Sequence, residues 1–165
     1  MQRTRKLALA AMLAALAVVF LYLTGVLPTG GIGVSAMAAI CTSIVYLECG
    51  LGYAVGHYVL AGLLGFLLVP VKTYVLWYIL AFGHYSILKL LIEKLPNRAA
   101  QWGLKAAAFG ASMAALLLGV RVVVAPNLPL QGLTLWAVLL VVFVVYDIGV
   151  SGVLAVYRRR VRRAR

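Results

Sequence analysis

The chain has 165 residues, of which 65% are hydrophobic and 11% are charged, and its mean hydropathy is +1.09. A soluble domain of this length could not bury so much apolar surface, so the composition indicates an integral membrane protein that lies in the lipid bilayer of the cell membrane and crosses it several times. The formal net charge of +12 would suggest nucleic-acid binding in a soluble protein. Here the basic residues lie at the ends of apolar runs and in the tails, which is how membrane topology is encoded, so we expect no nucleic-acid partner.

The chain begins with a short basic segment followed by an apolar run that is too long for a signal peptide. The run from about 7 to 27 predicts a first membrane helix, which ends before the glycine-rich turn PTGGIG. Its sequence LALAAMLAALA places Ala10 with Ala14 and Ala11 with Ala15. Small residues four positions apart allow another helix to approach closely, so either pair is a candidate contact with a partner helix.

Five more apolar runs follow, separated by turn signals and by one distinctly polar connection, EKLPNRAAQWGLK. Each run has about the length needed to cross a bilayer. We expect one integral membrane domain over residues 1–165. Its predicted helices lie at about 7–27, 32–48, 51–69, 72–94, 102–124 and 133–157, and a basic tail occupies 158–165.

The distribution of basic residues predicts the orientation of these helices. Most Lys and Arg residues lie in the amino tail, around the connection after the fourth helix and in the carboxyl tail, whereas Lys72 and Arg121 lie at the opposite helix ends. An excess of positive charge marks the cytoplasmic side of a membrane protein. The sequence therefore predicts an all-α bundle of six transmembrane helices with both termini in the cytoplasm.

The fourth predicted helix carries ionisable residues that the bilayer interior rarely admits. One broad face can hold His84, Lys89 and Glu93, and the topology places His57 and Asp147 at a similar depth. We therefore expect a buried polar cluster of His57, His84, Lys89 and Asp147, in which the acid pairs with a histidine or with the lysine. Such a pair could carry protons or could only hold helices together. In the alternative interpretation, Lys89 and Glu93 extend to the interface as a solvated pair, while His84 forms a hydrogen bond with a neighbouring helix.

The outer face offers a candidate ligand site. Lys72 and Arg121 lie near this face, and the nearby turn contains Asn127 and Gln131. These four residues favour a small molecule that bears a carboxylate or a phosphate, because Lys and Arg bind such groups through charge-assisted hydrogen bonds. The alternative is that the two cations extend to lipid headgroups.

The sequence gives little support for catalysis. Ser151 lies in GVSG, a string found in rhomboid-type intramembrane proteases, but only a basic tail follows it, and no later helix can supply a histidine. Glu48, His57 and His84 come from different helices and lack the spacing of a metal site. We expect no enzymatic activity, no metal and no cofactor.

The layout as a whole resembles a known family. The basic amino tail, the alanine-rich first helix KLALAAMLAALAVVF, the uncharged Pro/Gly turn, the six short spans and the basic cytoplasmic tail are similar to the substrate-binding S component of energy-coupling factor (ECF) transporters. The resemblance covers the whole chain in layout and the first helix in sequence. It implies a subunit that captures a vitamin or similar micronutrient from outside and works with a coupling subunit and two ATPases. It also implies that Ala10 and Ala14, or Ala11 and Ala15, contact the coupling subunit.

A second hypothesis from a different class remains open. In this hypothesis the buried polar residues serve only to hold helices together, as in a small structural or assembly membrane protein with no ligand of its own.

Overall fold

The structure is a computed structural model that describes the backbone of residues 2–27, 29–123 and 133–163, and the side chains of 3–27, 29–119 and 140–159. The described backbone is helical, with short connections and no strand. Among the described residues, six helices are long and apolar enough to cross a membrane, which confirms the predicted all-α, six-helix fold. The helices are α1 (Gln2–Val26), α2 (Gly31–Cys49), α3 (Leu51–Leu68), α4 (Lys72–Ile92), α5 (Arg98–Val123) and α6 (Leu133–Arg163). The cytoplasmic placement of the termini stays a prediction.

Several helices extend beyond their apolar runs. The first helix begins at Gln2, and the last continues to Arg163 through most of the predicted basic tail. Lys and Arg are good helix formers, so a helix can continue beyond the end of its apolar run. The fifth helix begins at Arg98, where the Asn97 side chain accepts a hydrogen bond of 3.0 Å from the backbone N–H of Ala99. This Asn cap satisfies one of the free N–H groups of the first turn.

The chain divides into two compact units, residues 1–128 and 129–165, and the prediction of a single domain stays a prediction. In the first unit, α1 packs against α2 and α3, and α4 packs against α2 and α5. The α1 contact is close because the packed face of that helix carries alanines. Leu21 of α1 meets Gly65 of α3, where an added Cβ would lie 2.8 Å from the leucine side chain. The second unit contains α6.

The middle of α4 departs from α-helical geometry. Trp77–Gly83 forms a π-helical segment, in which each backbone N–H pairs with the carbonyl five residues back rather than four. Such segments are rare and are found frequently at functional sites. Gly83 closes the segment in a crowded position, because an added Cβ would lie 2.8 Å from both the Tyr58 ring and the Tyr78 carbonyl oxygen. Gly83 therefore packs directly against Tyr58 of α3.

Candidate functional site

The two alanine pairs of α1 lie on different faces of the helix. Ala10 and Ala14 are buried, with 7% and 1% of their surface exposed, on the side that packs against α2 and α3. Ala11 and Ala15 are exposed. Of the two predicted pairs, only the second is open to another protein, because the first is already used inside the bundle.

The exposed pair belongs to a longer strip of small residues. Ala8 is also exposed, and it lies one turn before Ala11. The strip is bordered by large apolar side chains, of which Met12 is 65% exposed and Val19 is 53% exposed. A shallow strip between larger side chains lets the backbone of a second helix approach closely, which is the main source of helix association in lipid. The geometry suits helix packing at this face.

A first polar network joins α2, α3 and α4. Thr42 Oγ1 lies 3.3 Å from Nδ1 of His57 and 3.2 Å from the Tyr78 hydroxyl. All three side chains are buried. Hydrogen bonds of this kind hold transmembrane helices together at modest energy. The sequence indicated His57 but not Thr42, because an uncharged hydroxyl within an apolar helix is common and gives no signal of its own.

A second network lies at the end of the π-helical segment. The Tyr58 hydroxyl donates a hydrogen bond of 2.8 Å to the carbonyl of Ile79, and Nδ1 of His84 lies 3.2 Å from the same oxygen. The other ring nitrogen of His84, Nε2, lies 2.7 Å from Ser112 Oγ on α5. The hydrogen bonds of His84 thus reach a neighbouring helix, as the alternative interpretation expected. They differ from those of His57, so the two predicted members of one cluster lie in different networks.

A third polar group lies at the C-terminal end of α4. Glu93 Oε1 is 3.7 Å from the Lys89 ammonium and 2.9 Å from the ammonium of Lys105 on α5. The Lys89 side chain is fully buried, so the interpretation of Lys89 and Glu93 as a solvated pair is wrong for the lysine. The sequence places Lys105 in the polar connection after the fourth predicted helix and gives it no such role. The early start of α5 at Arg98 places this lysine two turns inside the helix.

The remaining member of the predicted cluster, Asp147, lies on α6 in the second unit. Its backbone carbonyl accepts a hydrogen bond of 2.7 Å from the Ser151 hydroxyl. This bond occupies the serine of the GVSG string within its own helix. Pairing of Asp147 with His84 or Lys89 would join the two units, and it stays a prediction.

The ligand residues that the sequence predicts for the outer face are only partly described. Lys72 donates a hydrogen bond to the carbonyl of Phe66, and its ammonium lies 5.1 Å from the centroid of the Phe66 ring. A cation at the C-terminal end of α3 interacts favourably with the helix dipole. Arg121 lies on α5, but its side chain is outside the described residues, as are Asn127 and Gln131. The ligand set therefore stays a prediction.

Within the described ranges, no three His, Cys, Asp or Glu side chains lie close enough together to hold a metal ion. The sequence matches no protein-family model, and comparisons with curated proteins and with solved structures give no match either. The membrane-spanning helices, the two faces of α1 and the polar networks of α4 are therefore the features from which a function can be inferred.

Proposed function

We propose that the chain is the membrane-embedded substrate-binding subunit of an ECF-type transporter that takes up a vitamin or similar micronutrient. The observation that carries this proposal is the exposed strip at Ala11 and Ala15, which stands apart from the buried pair at Ala10 and Ala14. The sequence contains no nucleotide-binding motif, so energy for transport must come from partner subunits. The partners expected are one coupling subunit and two ATPases.

In this proposal the two faces of α1 have different roles, one in packing within the protein and one in binding a partner. Neighbouring positions on an α-helix are about 100° apart, so the exposed strip lies beside the buried one rather than opposite it. The buried strip fastens α1 to α2 and α3, and a coupling helix would pack on the exposed strip. The exposed strip of α1 is apolar, so no charged side chain of this face would be buried or uncovered when the coupling helix binds or leaves. The association would therefore depend on close packing, as is usual between helices in lipid.

The substrate would bind at the outer face and would carry a carboxylate or a phosphate. Lys72 and Arg121 would supply the positive charge, and Asn127 and Gln131 would supply further hydrogen bonds. The Lys72 ammonium would have to exchange its bond to the Phe66 carbonyl for a bond to the ligand. We expect Lys72→Met and Arg121→Met each to lower uptake of the substrate. Unchanged uptake in both variants would show that these cations serve only the membrane interface.

One set of observations favours the alternative of a structural or assembly protein. Thr42, Ser112 and Glu93 each connect an ionisable side chain of one helix to another helix. Contacts of this kind are sufficient to explain why polar residues are kept inside the bundle. In this case the protein would bind no small molecule.

Affinity purification of the full chain from native membranes distinguishes the two functions. An ECF-type subunit is expected to bring down one coupling subunit and two ATPases and to release a small molecule on denaturation. Mass spectrometry of the purified complex measures both. Recovery of the chain without these subunits and without any bound small molecule would contradict the transporter and support the structural role.

A further inference from the structure

The hydrogen bonds around His84 form a short chain between two helices. Nδ1 of His84 lies 3.2 Å from the carbonyl oxygen of Ile79, and Nε2 lies 2.7 Å from Ser112 Oγ. The Ser112 hydroxyl in turn lies 2.6 Å from the carbonyl oxygen of Ala108, one turn earlier on α5. This chain of hydrogen bonds therefore begins at a carbonyl of the π-helical segment and ends at a carbonyl of α5.

A count of protons shows which state of His84 fits this chain. Both end groups are carbonyl oxygens, which only accept hydrogen bonds. The three contacts therefore need three protons from His84 and Ser112. A neutral imidazole has one N–H and a serine has one O–H, which is one proton too few. An imidazolium has two N–H groups, so all three bonds form only when the ring is protonated.

We propose that His84 is a proton-binding site, and that the bound proton joins the π-helical segment of α4 to α5. In the neutral state, Nδ1 keeps its hydrogen to donate to the Ile79 carbonyl, and the Ser112 hydroxyl turns to donate to Nε2. When Nε2 takes up a proton, it becomes a donor to Ser112 Oγ. The hydroxyl then turns to donate to the Ala108 carbonyl, and the chain is complete.

Polar side chains reach the surroundings of the His84 ring from the helices packed against α4. From α3, Tyr58 is the titratable side chain that reaches the same Ile79 oxygen, and its hydroxyl donates to it. From α5, Ser112 is uncharged, and from α2, Thr42 bonds to the Tyr78 hydroxyl. Lys89 lies five residues further along α4, more than one turn away. The carboxylate of Asp147 is the predicted counter-charge, and the experiment therefore includes it.

Nuclear magnetic resonance of the full chain in lipid nanodiscs, with ¹⁵N-labelled histidine rings, tests the proposal. The chain has two histidines, so His57→Gln leaves one labelled ring. We expect the neutral ring to carry its hydrogen on Nδ1. Acidification from about pH 8 to about pH 5 should add a proton at Nε2 while Nδ1 keeps its own. A neutral ring with its hydrogen on Nε2, or a ring that stays neutral across this range, would overturn the proposal.

Two variants at position 112 test whether the Ser112 hydroxyl stabilises the protonated state of His84. Ser112→Ala removes the acceptor for the new N–H, and Ser112→Thr keeps a hydroxyl as the matched control. At the pH at which the His57→Gln protein is half protonated, we expect Ser112→Ala to lower the protonated fraction several-fold, because the bond from the charged ring to Ser112 is stronger than the bond that Ser112 donates to the neutral ring. Ser112→Thr should retain it. The Nδ1 hydrogen at neutral pH shows that each variant keeps its local fold.

Asp147→Asn completes the experiment. The proposal predicts that Ser112→Ala lowers the protonated fraction of His84, whether or not Asp147→Asn lowers it too. A protonated fraction that falls in Asp147→Asn but is unchanged in Ser112→Ala would assign the proton to the carboxylate and would overturn the proposal.

Discussion

The π-helical segment of α4 predicts a severe response to a single added methyl group. Gly83→Ala places a Cβ 2.8 Å from the Tyr58 ring and 2.8 Å from the Tyr78 carbonyl oxygen. The ring cannot retreat freely because its hydroxyl is bonded to the Ile79 carbonyl at 2.8 Å. The Tyr78 oxygen is part of the helix backbone. Overpacking of this kind costs about 1–3 kcal/mol, and the better helix preference of alanine returns at most about 1 kcal/mol.

We therefore expect Gly83→Ala to lower the free energy of unfolding by about 1–2 kcal/mol. Gly56→Ala in α3 is the matched control, because nothing lies within 4 Å of its added Cβ. It should leave stability unchanged or slightly raised. Reversible unfolding of both variants in mixed micelles, followed by circular dichroism, measures the difference. Equal stability of the two variants would show that the π-helical segment is not held by this contact.

Two further predictions concern the polar contacts between helices. Lys105→Met should lower the free energy of unfolding by about 1–2 kcal/mol, because the partly exposed Glu93 loses a partner at 2.9 Å. The control Lys94→Met should change the free energy of unfolding by less than about 1 kcal/mol. Equal effects in the same unfolding assay would contradict the ion pair. A double-mutant cycle of Thr42→Val with Tyr78→Phe should give a coupling energy of about 0.6 kcal/mol, and strict additivity would mean that their 3.2 Å contact contributes nothing.

The fold was predictable because apolar length dominates in a membrane protein. Each span needs about 20 apolar residues, and that requirement is visible in the sequence. The helix ends were less predictable, since basic residues continue a helix beyond its apolar run, as they do at the start of α1 and the end of α6. The π-helical segment WYILAFG contains ordinary helix residues. Its Gly83 contacts Tyr58, and a contact between residues on different helices is not visible in the sequence.

The candidate site was predictable in its charged residues and not in their partners. Ionisable residues stand out in an apolar run, so His57, His84 and Lys89 were indicated by the sequence. Their neighbours Thr42 and Ser112 were not, because which hydroxyl faces which histidine depends on how the helices rotate against each other. The same rotation decides which alanine pair of α1 is buried. The spacing of the two pairs is identical, so the sequence alone left both open.

The exposed face of α1 provides the most direct test of the proposed function. The measurement is recovery of the coupling subunit and the two ATPases with the affinity-tagged chain, for Ala11→Leu combined with Ala15→Leu. The control is Val55→Leu combined with Val59→Leu, which has the same spacing on an exposed face of α3. Because leucine is at least as compatible with lipid as alanine, all variants should insert normally. We predict that the α1 variant loses the partner subunits while the α3 variant keeps them; full recovery with the α1 variant would contradict the proposed function.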